Sequence, residues 1–157
     1  MYRRILLAVG GYKQAESLLE LVQGIRTEGV TEVRALHLRL HELAGRRPRP
    51  YAKESREDAS LVAEAAAFEL RMAGVGASSV VADAYFDKVA EAIVNEATRW
   101  AADLIVLGSP RRREVAARVF GSVTQRVLQR SPCPILVASR VGAQGGGGHA
   151  ESTRADQ

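Results

Sequence analysis

The sequence predicts an α/β domain with a doubly wound, five-stranded parallel sheet covered by helices on both faces. Three observations predict it. Two short, continuously apolar runs, residues 5–9 and 104–107, are each closed by glycine, the pattern of strands buried on both faces. Segments with helical spacing alternate with strand-like segments as far as about residue 138, and a parallel connection needs a crossover helix. A chain of 157 residues that is 46% hydrophobic and 25% charged suits one domain with one continuous core.

Residues 5–9 are the first predicted strand, ended by Gly10 and Gly11. Leu18, Leu21, Val22 and Ile25 then recur on one stripe of a first helix that Gly29 can stop. Residues 33–40 alternate, with Val33, Ala35 and His37 on one face and Arg34, Leu36 and Leu38 on the other, and read as a strand. Residues 45–50, with two prolines and three arginines, read as the longest internal loop. From about residue 55 to 73, Leu61, Ala65, Phe68 and Met72 mark the apolar stripe of a second helix. Residues 79–82 are a short third strand. Residues 88–100 form a third helix with Val89, Ala90, Ile93, Val94, Ala97 and Trp100 on a broad apolar face. Residues 104–107 repeat the first strand's pattern. Phe120, Val123, Thr124, Val127 and Leu128 place a fourth helix ending near Arg130. Pro132 and Pro134 then force an extended entry into the fifth strand, residues 135–138. The domain is expected to span residues 1–140, and residues 141–157, with four consecutive glycines and little apolar content, to be a disordered tail.

No apolar run approaches the roughly 20 residues of a membrane span, and the opening Met1-Tyr2-Arg3-Arg4 lacks a stretch of signal-peptide length. A soluble, cytoplasmic protein without a membrane partner is the expectation. The single cysteine, Cys133, excludes an internal disulfide framework and a Cys-rich zinc site, and is expected to be a small buried thiol. The net charge of +4 is unevenly placed. Residues 39–53 hold five cations against Glu42, residues 111–118 hold four arginines against Glu114, and the remainder of the chain is net negative. Both stretches follow predicted strands, so both border the carboxyl rim, where doubly wound sheets bind ligands.

The residues that carry chemistry lie on that rim. Gly108 and Ser109 end the fourth predicted strand, and Gly121 and Ser122 open the fourth helix. A helix N-terminus offers unpaired N–H groups and a positive dipole end to a phosphate, glycine permits close approach, and the Ser122 hydroxyl can donate a further bond. A structural reading competes, because Ser122 and Gln125 fit the S-x-x-Q capping box and Gly108 can simply permit a turn.

The opening residues 1–9, the segment Leu36-His37-Leu38, residues 102–109, and the closing runs 120–128 and 131–137 resemble the universal stress protein family. The resemblance covers residues 1 to about 139. It implies a Rossmann-like sheet of strand order 3-2-1-4-5, a non-enzymatic regulatory role in stress response, and dimerisation through the last strand. It also implies ATP or another adenine nucleotide bound by a Gly-x2-Gly-x9-Gly-Ser/Thr motif and by an aspartate at the end of the first strand. On this chain Gly108, Gly121 and Ser122 match the motif, with Ser109 beside the first glycine. Arg111 stands at the second glycine position and Gly10 at the aspartate position. Arg111 can crowd the phosphates or clamp them, and weakened ATP affinity is the expectation.

Other polar candidates read more simply. His37 is expected to be a packed, hydrogen-bonded histidine, since no nucleophile motif accompanies it. His41 and His149 fall in the predicted loop and the tail without metal-ligand spacing, so neither a catalytic residue nor a metal site is expected. Asp83 and Asp87 flank Tyr85 and Phe86, with Asp87 suited to capping the third helix. The alternative to a nucleotide site is a dimeric interaction module whose basic rim binds another polyanion or an acidic protein. Nucleic acid is not the expected partner, because few aromatics are available to stack bases. An ATP-cleaving adenylating enzyme would need more than the loop Gly10-Gly11-Tyr12-Lys13 provides for pyrophosphate and Mg²⁺.

Overall fold

The computed structural model describes residues 1–10, 12–44, 49–108 and 122–138. In chain order its elements are β1 (Arg4–Ala8), α1 (Tyr12–Ile25), β2 (Glu32–Ala44), β3 (Arg49–Ala52), α2 (Arg56–Met72), β4 (Gly76–Tyr85), a 3-10 turn (Phe86–Lys88), α3 (Val89–Trp100), β5 (Leu104–Gly108), α4 (Ser122–Arg130) and β6 (Ile135–Ala138). Five strands run parallel in the order β4-β2-β1-β5-β6, the 3-2-1-4-5 arrangement, and β3 adds an antiparallel strand to β2.

The central strand organises both layers. Ile5, Leu6 and Leu7 of β1 are wholly buried, and alternate side chains enter opposite cores. Ile5 and Leu7 join Leu18 and Val22 of α1, Val62, Ala66 and Leu70 of α2, and Val33 and Ala35 of β2. Leu6 joins Ile93 and Ala97 of α3, Val127 of α4, and Leu36 and Ile105 on the other face. The predicted alternation along β2 is thus the alternation between the two helical layers. Helix α3 buries Glu96, whose carboxylate receives Arg34 at 3.0 Å and also Arg99, while the Arg34 guanidinium stacks on Trp100. A buried carboxylate is tolerable there because it is paired and hydrogen-bonded.

Several expectations need correction. Helix α2 does not bury Leu61, Phe68 and Met72, which are exposed; its inner face is Ala59, Val62, Ala63, Ala66, Ala67 and Leu70. Both stripes have helical spacing, and small side chains let the helix lie close on the sheet, so bulk is the wrong guide to its core face. Of the loop expected at 45–50, residues 45–48 lie outside the described residues and the last two are strand. Strand β2 runs on to Ala44 and β3 takes up Arg49 and Pro50, a proline position open to an edge strand. The third parallel strand covers Gly76–Tyr85, because ten consecutive residues pair with β2. Asp87 does not cap α3: Lys88 occupies that position, no side chain bonds the cap, and Asp87 lies in the 3-10 turn. Cys133 is half-buried rather than enclosed, and burial pushes its thiol pKa up. Residues 139–157, which include the expected tail and His149, lie outside the described residues.

Candidate functional site

Strand order reverses between β1 and β5, which makes the crevice beyond their carboxyl ends the expected ligand site. The register pairs Ala8 with Leu107, so Val9 and Gly10 leave β1 beside Gly108 at the end of β5. Gly10 is exposed and Gly108 is half-buried. Helix α4 returns from this rim to the parallel strand β6, which places its first residue, exposed Ser122, at the same end of the sheet. Its first turn holds no carboxylate to oppose an anion at its N-terminus. Ser109, Arg111 and Gly121 lie outside the described residues. The structure therefore brings Gly10, Gly108 and Ser122 to one rim.

Sequence reasoning missed the wall on the β2 side of this crevice. His41 pairs with Tyr85 of β4 along one edge of β2 and with Ala52 of β3 along the other. That second edge is the one β1 occupies as far as Leu36, so β3 continues it past the carboxyl end of β1. The junction is bonded: Val9 N–H donates to Leu36 O at 2.8 Å and Lys53 N–H to Leu40 O at 3.2 Å. Between them sits His37, 6% exposed, with Nδ1 2.8 Å from Val9 O and Nε2 2.8 Å from Glu54 Oε1. A carbonyl only accepts, so Nδ1 is the donor to Val9 O, and Nε2 faces the Glu54 carboxylate. His37 is the hydrogen-bonded histidine the sequence suggests, and Glu54 is the partner it does not reveal. The available signal for the longer strand was the period-two alternation Leu36-His37-Leu38-Arg39-Leu40-His41.

On the far edge of β2 a second polar group forms around Asp83. His41 Nε2 lies 2.8 Å from its carboxylate, Arg56 donates at 2.9 Å and Arg39 at 3.3 Å, with Arg39 also bonded to Glu54 O. The His41 hydrogen bond, aided by the Arg56 hydrogen bond and by the charges of Arg39 and Arg56, holds the Asp83 carboxyl below the usual range, against burial, which is second in size only to the His41 bond. An open cavity of about 250 Å³ lined by Arg39, His41, Asp83, Ala84 and Tyr85 lies here. It is on the β4 side of β2, away from the β1–β5 crevice. His41, expected in a loop, is a strand residue because β2 overruns β1. Among the described residues no group of three His, Cys, Asp or Glu side chains could hold a metal ion.

This geometry matches known proteins. The family model of the universal stress protein family matches residues 1–139. The chain belongs to the universal stress protein family. Among solved structures, hypothetical protein MJ0577, whose function was assigned from its structure, is 22% identical with a TM-score of 0.67, covering 91% of this chain and 99% of that one. The universal stress protein from Archaeoglobus fulgidus in complex with dAMP is 21% identical with a TM-score of 0.61, covering 87% and 97%. A universal stress protein in complex with cAMP is 17% identical with a TM-score of 0.62, covering 87% and 96%. At these identities the likeness is one of fold. No curated protein matches the sequence. Among the described residues no helix is long and apolar enough to cross a membrane.

The Asp83 cluster yields a pH prediction. Because the folded pKa is depressed, its contribution is complete above the ordinary carboxyl value near 3.9 and is lost as pH falls through the lower folded value. Asp83 is 41% exposed, so solvent screens it and Asp83→Asn costs about 1 kcal/mol at neutral pH. Thermal melts of parent and variant from pH 7 to pH 2.5 check this. The gap in Tm holds to about pH 5 and closes toward the acid end; a gap that widens below pH 4 contradicts the assignment.

Proposed function

We propose that this universal stress protein is a non-enzymatic, cytoplasmic regulatory domain that binds an adenine nucleotide weakly in the crevice between the carboxyl ends of β1 and β5. The observation that carries the reading is the convergence of Gly108 and the N-terminus of α4 at the strand-order switch point. Backbone N–H groups there favour phosphate, and the dAMP and cAMP complexes of fold relatives support an adenine nucleotide over other anions. A regulatory role is proposed rather than catalysis because no nucleophile motif accompanies His37, whose ring bonds the Val9 carbonyl and Glu54. The polyanion alternative gains nothing from the described rim, where Arg39 and Arg56 are committed to Asp83 and Lys53 to Glu42.

Weak affinity follows from the two departures from the family motif. Gly10 supplies no carboxylate at the nucleoside end, and a missing hydrogen-bonding partner costs about 1–3 kcal/mol, or roughly 5- to 150-fold in affinity. Arg111 acts at the other end of the ligand. Calorimetric titration with ATP of the parent, Gly10→Asp, Arg111→Gly and the double variant tests both. The double variant is expected to bind more tightly than the parent; Arg111→Gly alone tightens binding if the arginine crowds phosphate and weakens it if it clamps. A parent that binds ATP tightly and responds to neither change contradicts the reading.

The same proposal includes a homodimer. Strand β6 pairs with β5 along one edge, its four side chains are half-buried, and an open apolar edge requires a partner or a cover. Sedimentation at tens of micromolar, where a dimer held by about 8 kcal/mol is populated, is expected to show a dimer. Val137→Pro, which removes an edge N–H, is expected to weaken it. A monomeric parent at that concentration overturns the proposal.

A further inference from the structure

The outer face of α2 carries an apolar seam that the fold does not use. Leu61, Phe68 and Met72 are 56%, 52% and 71% exposed, and half-buried Ala65 sits between the first two. Their spacing of four, three and four residues is the a/d alternation of a two-stranded coiled coil, extending over eleven residues or about 16 Å of helix. Ala65 leaves a notch between the bulkier Leu61 and Phe68, the shape that receives a large apolar knob. Single exposed apolar residues need no explanation, but three large ones aligned on one helix mark an interaction surface.

The charges beside the seam say what fits it. Glu57 and Glu64 flank one side, Asp58 and Glu69 the other. Of the two cations of the helix, Arg56 is turned away to Asp83, and Arg71 pairs with Glu64 and donates to the Ala77 carbonyl, which leaves Glu57 as the uncompensated acid of the first flank. Ser79 holds the other Glu64 oxygen at 2.7 Å, so that carboxylate is compensated, whereas no ion pair joins Glu57 or Glu69 to a described residue. The surface is an apolar line with acidic margins on a chain of net charge +4. A second copy suits it poorly, since antiparallel two-fold pairing lines Asp58 and Glu69 of both copies along one flank without a cation. An anionic membrane is repelled by the same margins.

We propose that the outer seam of α2 is a docking surface for a basic amphipathic helix of a partner protein, with large apolar residues at the seam and Lys or Arg on both flanks. This surface is separate from the β1–β5 crevice, and its failure leaves the nucleotide reading intact.

Fluorescence anisotropy with the full chain tests it using two synthetic helical peptides of three heptads. Both have leucine at the seam positions; one has lysine at the flanking positions and the other glutamate. The lysine peptide is expected to bind at least tenfold more tightly than the glutamate peptide. Phe68→Ser is expected to reduce that binding tenfold or more, with Tm held as a check on folding, since the residue is exposed. Glu57→Lys with Glu69→Lys is expected to reverse the preference. Equal binding of the two peptides, or binding indifferent to Phe68→Ser, overturns the proposal. So does absence of binding, sedimentation showing self-association that Phe68→Ser abolishes, or a preference for anionic phosphatidylserine vesicles over either peptide.

Discussion

The buried imidazole of His37 is the hydrogen-bonded post on which the carboxyl rim is built. Its Nδ1–H satisfies the carbonyl of Val9, where β1 ends, and its Nε2 faces Glu54, which precedes the Ser55 cap of α2. One ring thus ties the exit of the central strand to the entry of a helix that the intervening hairpin carries away from it. An apolar residue of similar size would leave the Val9 carbonyl short of its partner beside a buried side chain, which is costly. With His37 in position, β2 can overrun β1, β3 can occupy the edge that β1 vacates, and the crevice gains a wall made of backbone.

The same economy of polar groups holds elsewhere. Glu96 is buried at 3% exposure only because Arg34 and Arg99 converge on it, with Arg34 laid over Trp100. Asp103 accepts the N–H groups of Arg3 and Arg4 at the start of β1, anchoring the amino end of the sheet as His37 anchors the carboxyl end. The polar contacts therefore define where β1 begins and ends, while apolar burial on its two faces holds it in the middle.

The parallel framework was legible because buried parallel strands read as short apolar runs, and residues 5–9 and 104–107 have no other economical reading. The switch-point crevice followed from the topology, and Gly108 and Ser122 fall where the spacing put them. Two features escaped for physical reasons. The hairpin escaped because Arg49 and Pro50 read as breakers, whereas an edge strand tolerates both once one side of it needs no ladder partner. The inner face of α2 escaped because alanine has no bulk to advertise burial; helix periodicity is symmetric between its two candidate stripes, and only contact with β2 and β4 distinguishes them. Glu54 was beyond local pattern altogether, since its partner lies seventeen residues away.

The nucleotide proposed for this chain sits in the crevice beside Gly10, Gly108 and the start of α4. The most direct measurement is an amide chemical-shift map of the protein titrated with ATP into the millimolar range. Shifts are expected to concentrate at Gly10, Gly108 and Ser122, with the amides of Arg3, Arg4 and Thr31 at the opposite end of the sheet unmoved. Shifts confined to that opposite end, shifts centred on His41 and Asp83, or no shifts at all would contradict it.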